Sequence, residues 1–144
     1  MTADQWSPSQ RVAAAIGSLG VFALAVLAGI GGPPSEFRRG VPPFVDFLGD
    51  HILEIYAAAT LVALAGLFVT FIAPRPGRIT STVGSLLTMF GNLVSFAIGT
   101  SGERRGAWVF LALSLPFLLL MWLPRLVSGR PHVRSRKSES PGQG

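Results

Sequence analysis

Four apolar runs, separated by short stretches rich in Pro, Gly and charged residues, constrain this 144-residue chain more than any other feature. A helix rises about 1.5 Å per residue, so about 17–25 mostly apolar residues are needed to cross a bilayer. The runs cover residues 12–30, 52–73, 79–98 and 107–123, and all four are long enough. The sequence therefore predicts an all-α integral membrane protein: a four-transmembrane-helix bundle in one domain, residues 1–124, followed by a basic disordered tail, residues 125–144.

The composition agrees with a chain that is solvated by lipid. Only 13% of the residues are charged and 49% are hydrophobic, whereas soluble domains carry about 25% charged residues. The net charge of +5 does not indicate a nucleic-acid partner, because the basic residues flank the apolar runs. The chain has no cysteine, which excludes disulfides and thiolate metal sites. Arginine outnumbers lysine eleven to one, which is typical of a GC-rich bacterial genome.

The distribution of basic residues predicts the orientation in the membrane. Eight Lys and Arg residues lie in the N-terminal segment, the second connection and the tail, and four lie in the other two connections. Because basic residues accumulate on the cytoplasmic side, we expect both termini in the cytoplasm and a multi-pass location in the inner (plasma) membrane.

The first apolar run predicts a retained helix. A signal peptide has a core of about 7–15 apolar residues, and this run has 19. Ala13, Gly17 and Gly20 share one face of the predicted helix, where small side chains allow another helix to approach closely. Cleavage as a signal peptide is the alternative.

The second span is preceded by a polar entrance formed by Asp46, Asp50, His51 and Glu54. On a continuous helix, carboxylates spaced by four residues form one stripe, with the histidine beside it. Such a stripe is compatible with a metal site or with proton transfer in a transporter. The alternative is a solvated helix entrance whose acids face water and lipid headgroups, and this structural interpretation is the one we favour.

No cofactor or metal is predicted. Haem bound between helices needs two axial side chains, and the only histidine besides His51 is His132, in the predicted tail. Met89 and Met121 are available as ligands, but methionine more often fills gaps in a core.

The third span is the most polar and is predicted to be the most buried within the protein. Its candidate helix-packing residues are Gly84, Thr88, Gly91, Asn92, Ser95 and Gly99. Small residues let helix backbones approach, and hydroxyl and amide groups bond across helices. A conduction path lined by the same polar residues is the alternative. Asn92 is the most informative, because an amide in a membrane must find a partner.

No catalytic motif is present, so we expect a protein without enzymatic activity. The predicted function is an accessory or structural subunit of a larger bacterial membrane complex, respiratory or cell-envelope. Its partners are then lipids and other integral membrane subunits, or further copies of itself. The alternative is a small homo-oligomeric transporter or channel that uses the entrance at Asp50, His51 and Glu54.

Overall fold

The computed structural model describes residues 6–31 and 40–128, with side chains as far as Leu123, and this part of the chain is entirely helical. The five helices are α1 (Pro8–Gly31), α2 (Pro43–Asp50), α3 (Ile52–Ile72), α4 (Pro74–Ile98) and α5 (Ser101–Ser128). Four of them, α1, α3, α4 and α5, are long and apolar enough to cross a membrane. The predictions of an all-α protein and of four long apolar helices are therefore confirmed.

Three of the four long helices begin earlier than predicted. The predicted spans began at residues 12, 52, 79 and 107, whereas the helices begin at residues 8, 52, 74 and 101. The predicted tail also differs, because α5 continues to Ser128; residues 129–144 lie outside the described part of the chain, as do residues 32–39 of the first connection.

Two of the early starts have a capping explanation. At α1, the backbone N–H of Gln10 donates to the Ser7 hydroxyl at 3.3 Å, and the Ser7 N–H donates to the Gln10 side chain at 3.1 Å. This is a complete capping box around Pro8, a residue that fits the first helical turn. At α5, the backbone N–H of Thr100 donates to the Glu103 carboxylate at 2.6 Å. The Thr100 hydroxyl donates to the same carboxylate at 2.9 Å, so that Glu103 fixes the residue before the first turn of α5.

A single residue, Ala73, separates α3 from α4. It is extended (φ −140°, ψ 98°), and Pro74 then occupies the start of α4. The stretch from Pro74 to Arg78, predicted as a turn, is instead the first part of this helix. Prolines are compatible with the first turn because the N–H groups there have no helical partner.

The long helices pack around a central pair, α1 and α4. The contact of α3 with α4 is the most extensive, and α1 contacts α3, α4 and α5. Within the described residues α3 and α5 do not touch, so they lie on opposite sides of the central pair α1 and α4. We call the end that holds Trp6, Ala73 and Trp122 the terminal end, and the end that holds α2 and Thr100 the α2 end.

Glycines set the closest helix contacts. A Cβ added at Gly84 would lie 2.8 Å from the Ala63 nitrogen, and one at Gly66 would lie 2.8 Å from the Ser81 Cα. The α3 and α4 backbones therefore touch at two levels. Gly20 of the predicted strip on α1 meets the Phe117 ring of α5.

The short helix α2 covers the α2 end of the core. Val45 and Leu48 of α2 pack against a buried cluster at this end of the bundle. The cluster consists of Ala28, Ile52, Tyr56, Val94 and Ile98. On its other side α2 exposes Phe44 and Phe47, whose exposed fractions are 69% and 57%. An apolar outer face of this kind is typical of a helix that lies at a membrane interface.

Candidate functional site

The residues of the predicted polar entrance are divided between α2, the joint after it and α3. Asp46, Asp50 and Glu54 are all exposed, and His51 is half-buried. The expected stripe requires one continuous helix, but α2 ends at Asp50 and α3 begins at Ile52. In the described ranges, no three His, Asp or Glu side chains come close enough to hold a metal ion.

His51 is the joint between α2 and α3. Its backbone (φ −102°, ψ 14°) is outside the helical region, and its N–H bonds to the Gly49 carbonyl. Its Nδ1 lies 2.9 Å from the Phe47 carbonyl oxygen, and the two rings are 4.4 Å apart. The imidazole is therefore engaged at the end of α2 and does not face a carboxylate partner of the entrance.

A buried polar cluster joins α3 to α4 near the α2 end. The Tyr56 hydroxyl lies 3.3 Å from Asn92 Oδ1 and 3.1 Å from Ser95 Oγ. The Asn92 amide also donates to the Thr88 carbonyl at 2.9 Å. All four residues are buried, and Gly91 packs against the Tyr56 ring. The partner that Asn92 requires is thus supplied by the neighbouring helix.

Of the packing residues, Gly99 has a different position from the one expected. It was predicted to continue the strip of Gly91 and Ser95 on a helix face. The structure ends α4 at Ile98, and Gly99 is the extended residue after it (φ −76°, ψ 164°). A Cβ at Gly99 would meet the Ser95 carbonyl oxygen and the Glu103 side chain. Its surroundings are therefore the connection to α5 and not a helix–helix contact.

A chain of three hydroxyls joins α1, α3 and α4 toward the terminal end. Ser81 donates to Ser18 at 2.9 Å, Ser18 lies 3.1 Å from Thr70, and Thr70 donates to the Gly66 carbonyl at 2.7 Å. Because Thr70 donates its only hydroxyl proton to the carbonyl, Ser18 has two acceptors for its own proton, the Thr70 hydroxyl and the Met121 sulfur at 3.6 Å. Sequence periodicity identifies the helix face on which Ser18 lies. It does not predict which other helices the serine contacts.

Arg78 is the most unusual side chain of the described residues. It is only 2% exposed, and its guanidinium carbon lies 4.5 Å from the centroid of the Trp6 ring and 4.6 Å from that of Trp122. Its Nη1 donates to the Met121 carbonyl at 3.2 Å. Indole faces attract cations, and this attraction is stronger when water is excluded. We call Arg78, Trp6 and Trp122 the Arg78 site.

The sequence pattern does not predict the Arg78 site. It identifies Arg78 only as one of the basic residues that predict the orientation. The sequence does contain one relevant pattern. Two tryptophans, near the two ends of the chain, and an arginine at the start of α4 are all expected at the same end of the bundle. The Trp122 indole N–H also donates to Thr82 Oγ1 at 3.0 Å, which fixes the ring.

Comparisons with protein-family models, with curated proteins and with solved structures give no match for this chain. The four long apolar helices indicate a multi-pass membrane protein, and the function has to be argued from the arrangement of its own residues.

Proposed function

We propose that this chain is a non-catalytic accessory or structural subunit of a larger bacterial membrane complex. We further propose that it resides in the plasma membrane with both termini in the cytoplasm. The charge distribution supports this orientation: the described residues of the terminal end include Arg11, Arg75 and Arg78 and no carboxylate. Among its described residues the α2 end carries two arginines, Arg104 and Arg105, together with four carboxylates: Asp46, Asp50, Glu54 and Glu103.

The observation that carries the structural role is the use of the bundle interior for packing. The α3 and α4 backbones touch at Gly66 and Gly84. The buried polar groups bond to one another, as in the cluster of Tyr56, Asn92 and Ser95. A conduction path needs polar groups that face an open passage. An interior of this kind favours a protein that acts through its outer surface.

The outer face of α3 is the surface we assign to a partner subunit. It lies on the side of the bundle opposite α5. Its exposed residues include Ala57, Ala58, Leu61, Ala65 and Phe68. Small side chains next to large ones allow a second helix to approach and interlock by van der Waals packing, which drives helix association in lipid.

A small homo-oligomeric transporter or channel is the second candidate. The observation that favours it is the presence of Asp46, Asp50 and Glu54, all exposed at one end of the bundle. A ring of copies would bring carboxylates from several chains to a common axis, as in cation channels. In a single copy the same groups face outward, so this function depends on self-association.

One experiment distinguishes the two functions. A photo-crosslinking amino acid is placed at Leu61 on the outer face of α3 and, in a separate matched variant, at Leu113 on α5; both positions are exposed. The tagged variants are irradiated in their native membrane and purified in mild detergent. We expect a discrete adduct with a second integral membrane protein from Leu61, and none from Leu113.

The competing outcome is equally specific. Self-adducts alone from Leu61, together with ion flux in liposomes that Glu54→Gln abolishes, would replace the accessory-subunit proposal by the transporter. A protein that yields neither adduct and purifies as a monomer contradicts both proposals.

A further inference from the structure

A groove of about 240 Å³ lies at the terminal end, between the first turns of α1 and the junction of α3 with α4. It is lined by Arg11, Val12, Ala15, Thr70, Phe71, Ile72 and Pro74. Typical small-molecule pockets hold about 300–1,000 Å³. The groove is thus smaller than a site for a compact metabolite, and its size suits a section of a narrow chain.

The walls of the groove are apolar and face outward. Val12, Phe71 and Ile72 have exposed fractions of 56%, 71% and 86%. Thr70 is the one hydroxyl residue of the lining, and its proton is already donated to the Gly66 carbonyl. The larger part of the groove surface is therefore apolar and offers van der Waals contact, and the smaller part is polar. An acyl chain is the ligand type that such a surface accommodates at least cost.

The charge of the groove selects the headgroup. Arg11 is the charged residue of the lining, and Arg75 follows Pro74 of the wall by one residue. The described residues at this end contain no carboxylate that would repel an anion. Basic residues at the membrane surface attract anionic lipids, and each such residue contributes about a fivefold preference over neutral ones.

We propose that this groove binds an anionic phospholipid, with one acyl chain between α1 and α3 and the phosphate at Arg11. The site depends on the chain lying in a membrane and does not depend on the accessory-subunit role. The basic residues of the terminal end would then have two roles: they favour one orientation in the membrane, and they bind a specific lipid.

The test is lipid retention by the purified protein. Protein in mild detergent is mixed with equal amounts of phosphatidylglycerol and phosphatidylcholine of identical acyl chains, and bound lipids are counted by native mass spectrometry. We expect at least a fivefold preference for phosphatidylglycerol in the wild type. Arg11→Gln should lower this preference about fivefold, whereas the matched Arg105→Gln, which removes an exposed charge at the α2 end, should leave it unchanged.

A second variant tests the groove itself with the charge intact. Ala15→Phe places a ring in the groove, and it should reduce retention of both lipids at least fivefold. If this variant does not fold, the unaltered groove can be tested by tryptophan fluorescence in the Trp108→Phe variant. The remaining Trp6 and Trp122 lie at the terminal end, and brominated phosphatidylglycerol should quench them more than brominated phosphatidylcholine.

Three results would overturn the proposal. The first is that protein with an unaltered groove retains the two lipids equally and is quenched equally by their brominated forms. The second is that Arg105→Gln loses as much of the preference for phosphatidylglycerol as Arg11→Gln. The third is that a folded Ala15→Phe retains as much lipid as the wild type. A protein segment that crosslinks to a residue of the groove in place of lipid would identify a different occupant and would also reject it.

Discussion

The guanidinium carbon of Arg78 lies 4.6 Å from the centre of the Trp122 indole ring, although the two residues are 44 positions apart in the chain. The Trp6 ring lies at nearly the same distance on another side, at 4.5 Å. A cation buried at the start of α4 thus joins the beginning of α1 to the last turns of α5. We therefore expect the stability of the terminal end to depend on this contact.

Arg78→Leu should destabilise the protein markedly. It removes two cation–π contacts and the hydrogen bond to the Met121 carbonyl. Each desolvated cation–π contact contributes up to about 2 kcal/mol, so we expect a loss of about 2–4 kcal/mol in unfolding free energy. The measurement is reversible unfolding in mixed detergent micelles. Arg105→Leu, at an exposed position, is the control and should change stability by less than about 0.5 kcal/mol. Equal stability of Arg78→Leu and the wild type would show that the contact contributes nothing.

Gly84→Ala should disrupt the α3–α4 pair, although alanine adds only a methyl group. Its Cβ would lie 2.8 Å from the Ala63 backbone nitrogen, and a backbone atom cannot move aside as a flexible side chain can. Gly102→Ala is the matched control, since nothing lies within 4 Å of its Cβ position. In a helix this control should be neutral or stabilise by up to about 1 kcal/mol. Melting temperatures of the two variants, followed by size-exclusion profiles, give the comparison, and a Gly84→Ala protein as stable as the control would contradict the close approach.

Tyr56→Phe should cost a modest amount of stability. The variant keeps the ring that Gly91 packs against and removes only the hydroxyl that bonds to Asn92 and Ser95. Interhelical hydrogen bonds in membrane proteins contribute about 0.6 kcal/mol on average, with a maximum near about 1.7. A double-mutant cycle with Ser95→Ala measures the coupling directly. Strict additivity of the two single changes would mean that the bond is not formed.

The orientation can be measured at two described positions. The chain contains no cysteine, so single cysteines at Ser9 and Ser101 can be labelled without background. Both residues are exposed, and they lie at the terminal end and the α2 end respectively. With both termini in the cytoplasm, a membrane-impermeant maleimide should label Ser101→Cys in intact cells. Ser9→Cys should react only after permeabilisation; the reverse pattern would invert the proposed topology.

Glu54→Gln and His51→Gln should leave the accessory role intact. Glu54 is exposed, and His51 bonds to the carbonyl oxygen of Phe47 and not to a carboxylate. Exposed charged groups contribute about 0–1 kcal/mol, so we expect normal expression and normal recovery of partner subunits on purification. Selective loss of transport in Glu54→Gln, with a folded protein, would favour the transporter.

The number of long helices follows from the sequence, because each apolar run is long enough to cross a bilayer and is bounded by Pro, Gly and charged residues. The helix starts do not follow from the same pattern. Pro74 and Pro76 lie in the predicted connection, although both fit a first turn, where no N–H bond is lost. The capping residues Ser7 and Thr100 were identifiable in the sequence, but hydropathy alone does not detect them.

The candidate site was less predictable than the fold. The prediction of a stripe of Asp46, Asp50 and Glu54 assumed one helix. The nearest glycine, Gly49, lies within α2 and does not by itself predict a break at His51. The charge of Arg78 contributed to the predicted orientation. A count of charges does not show that two indole rings from distant segments cover this side chain. Periodicity within one helix identifies a face, whereas the contacts across helices depend on how the faces are rotated toward each other.

The Arg78 site also imposes an order on synthesis. Trp6 is made before Arg78, and Trp122 is made 44 residues after it. The hairpin of α3 and α4 can form as soon as residue 98 has emerged, but the contact of Arg78 with the Trp122 ring forms only when α5 has been made. A chain that stalls or is cut before Trp122 therefore lacks one of the two indole rings that cover the Arg78 guanidinium.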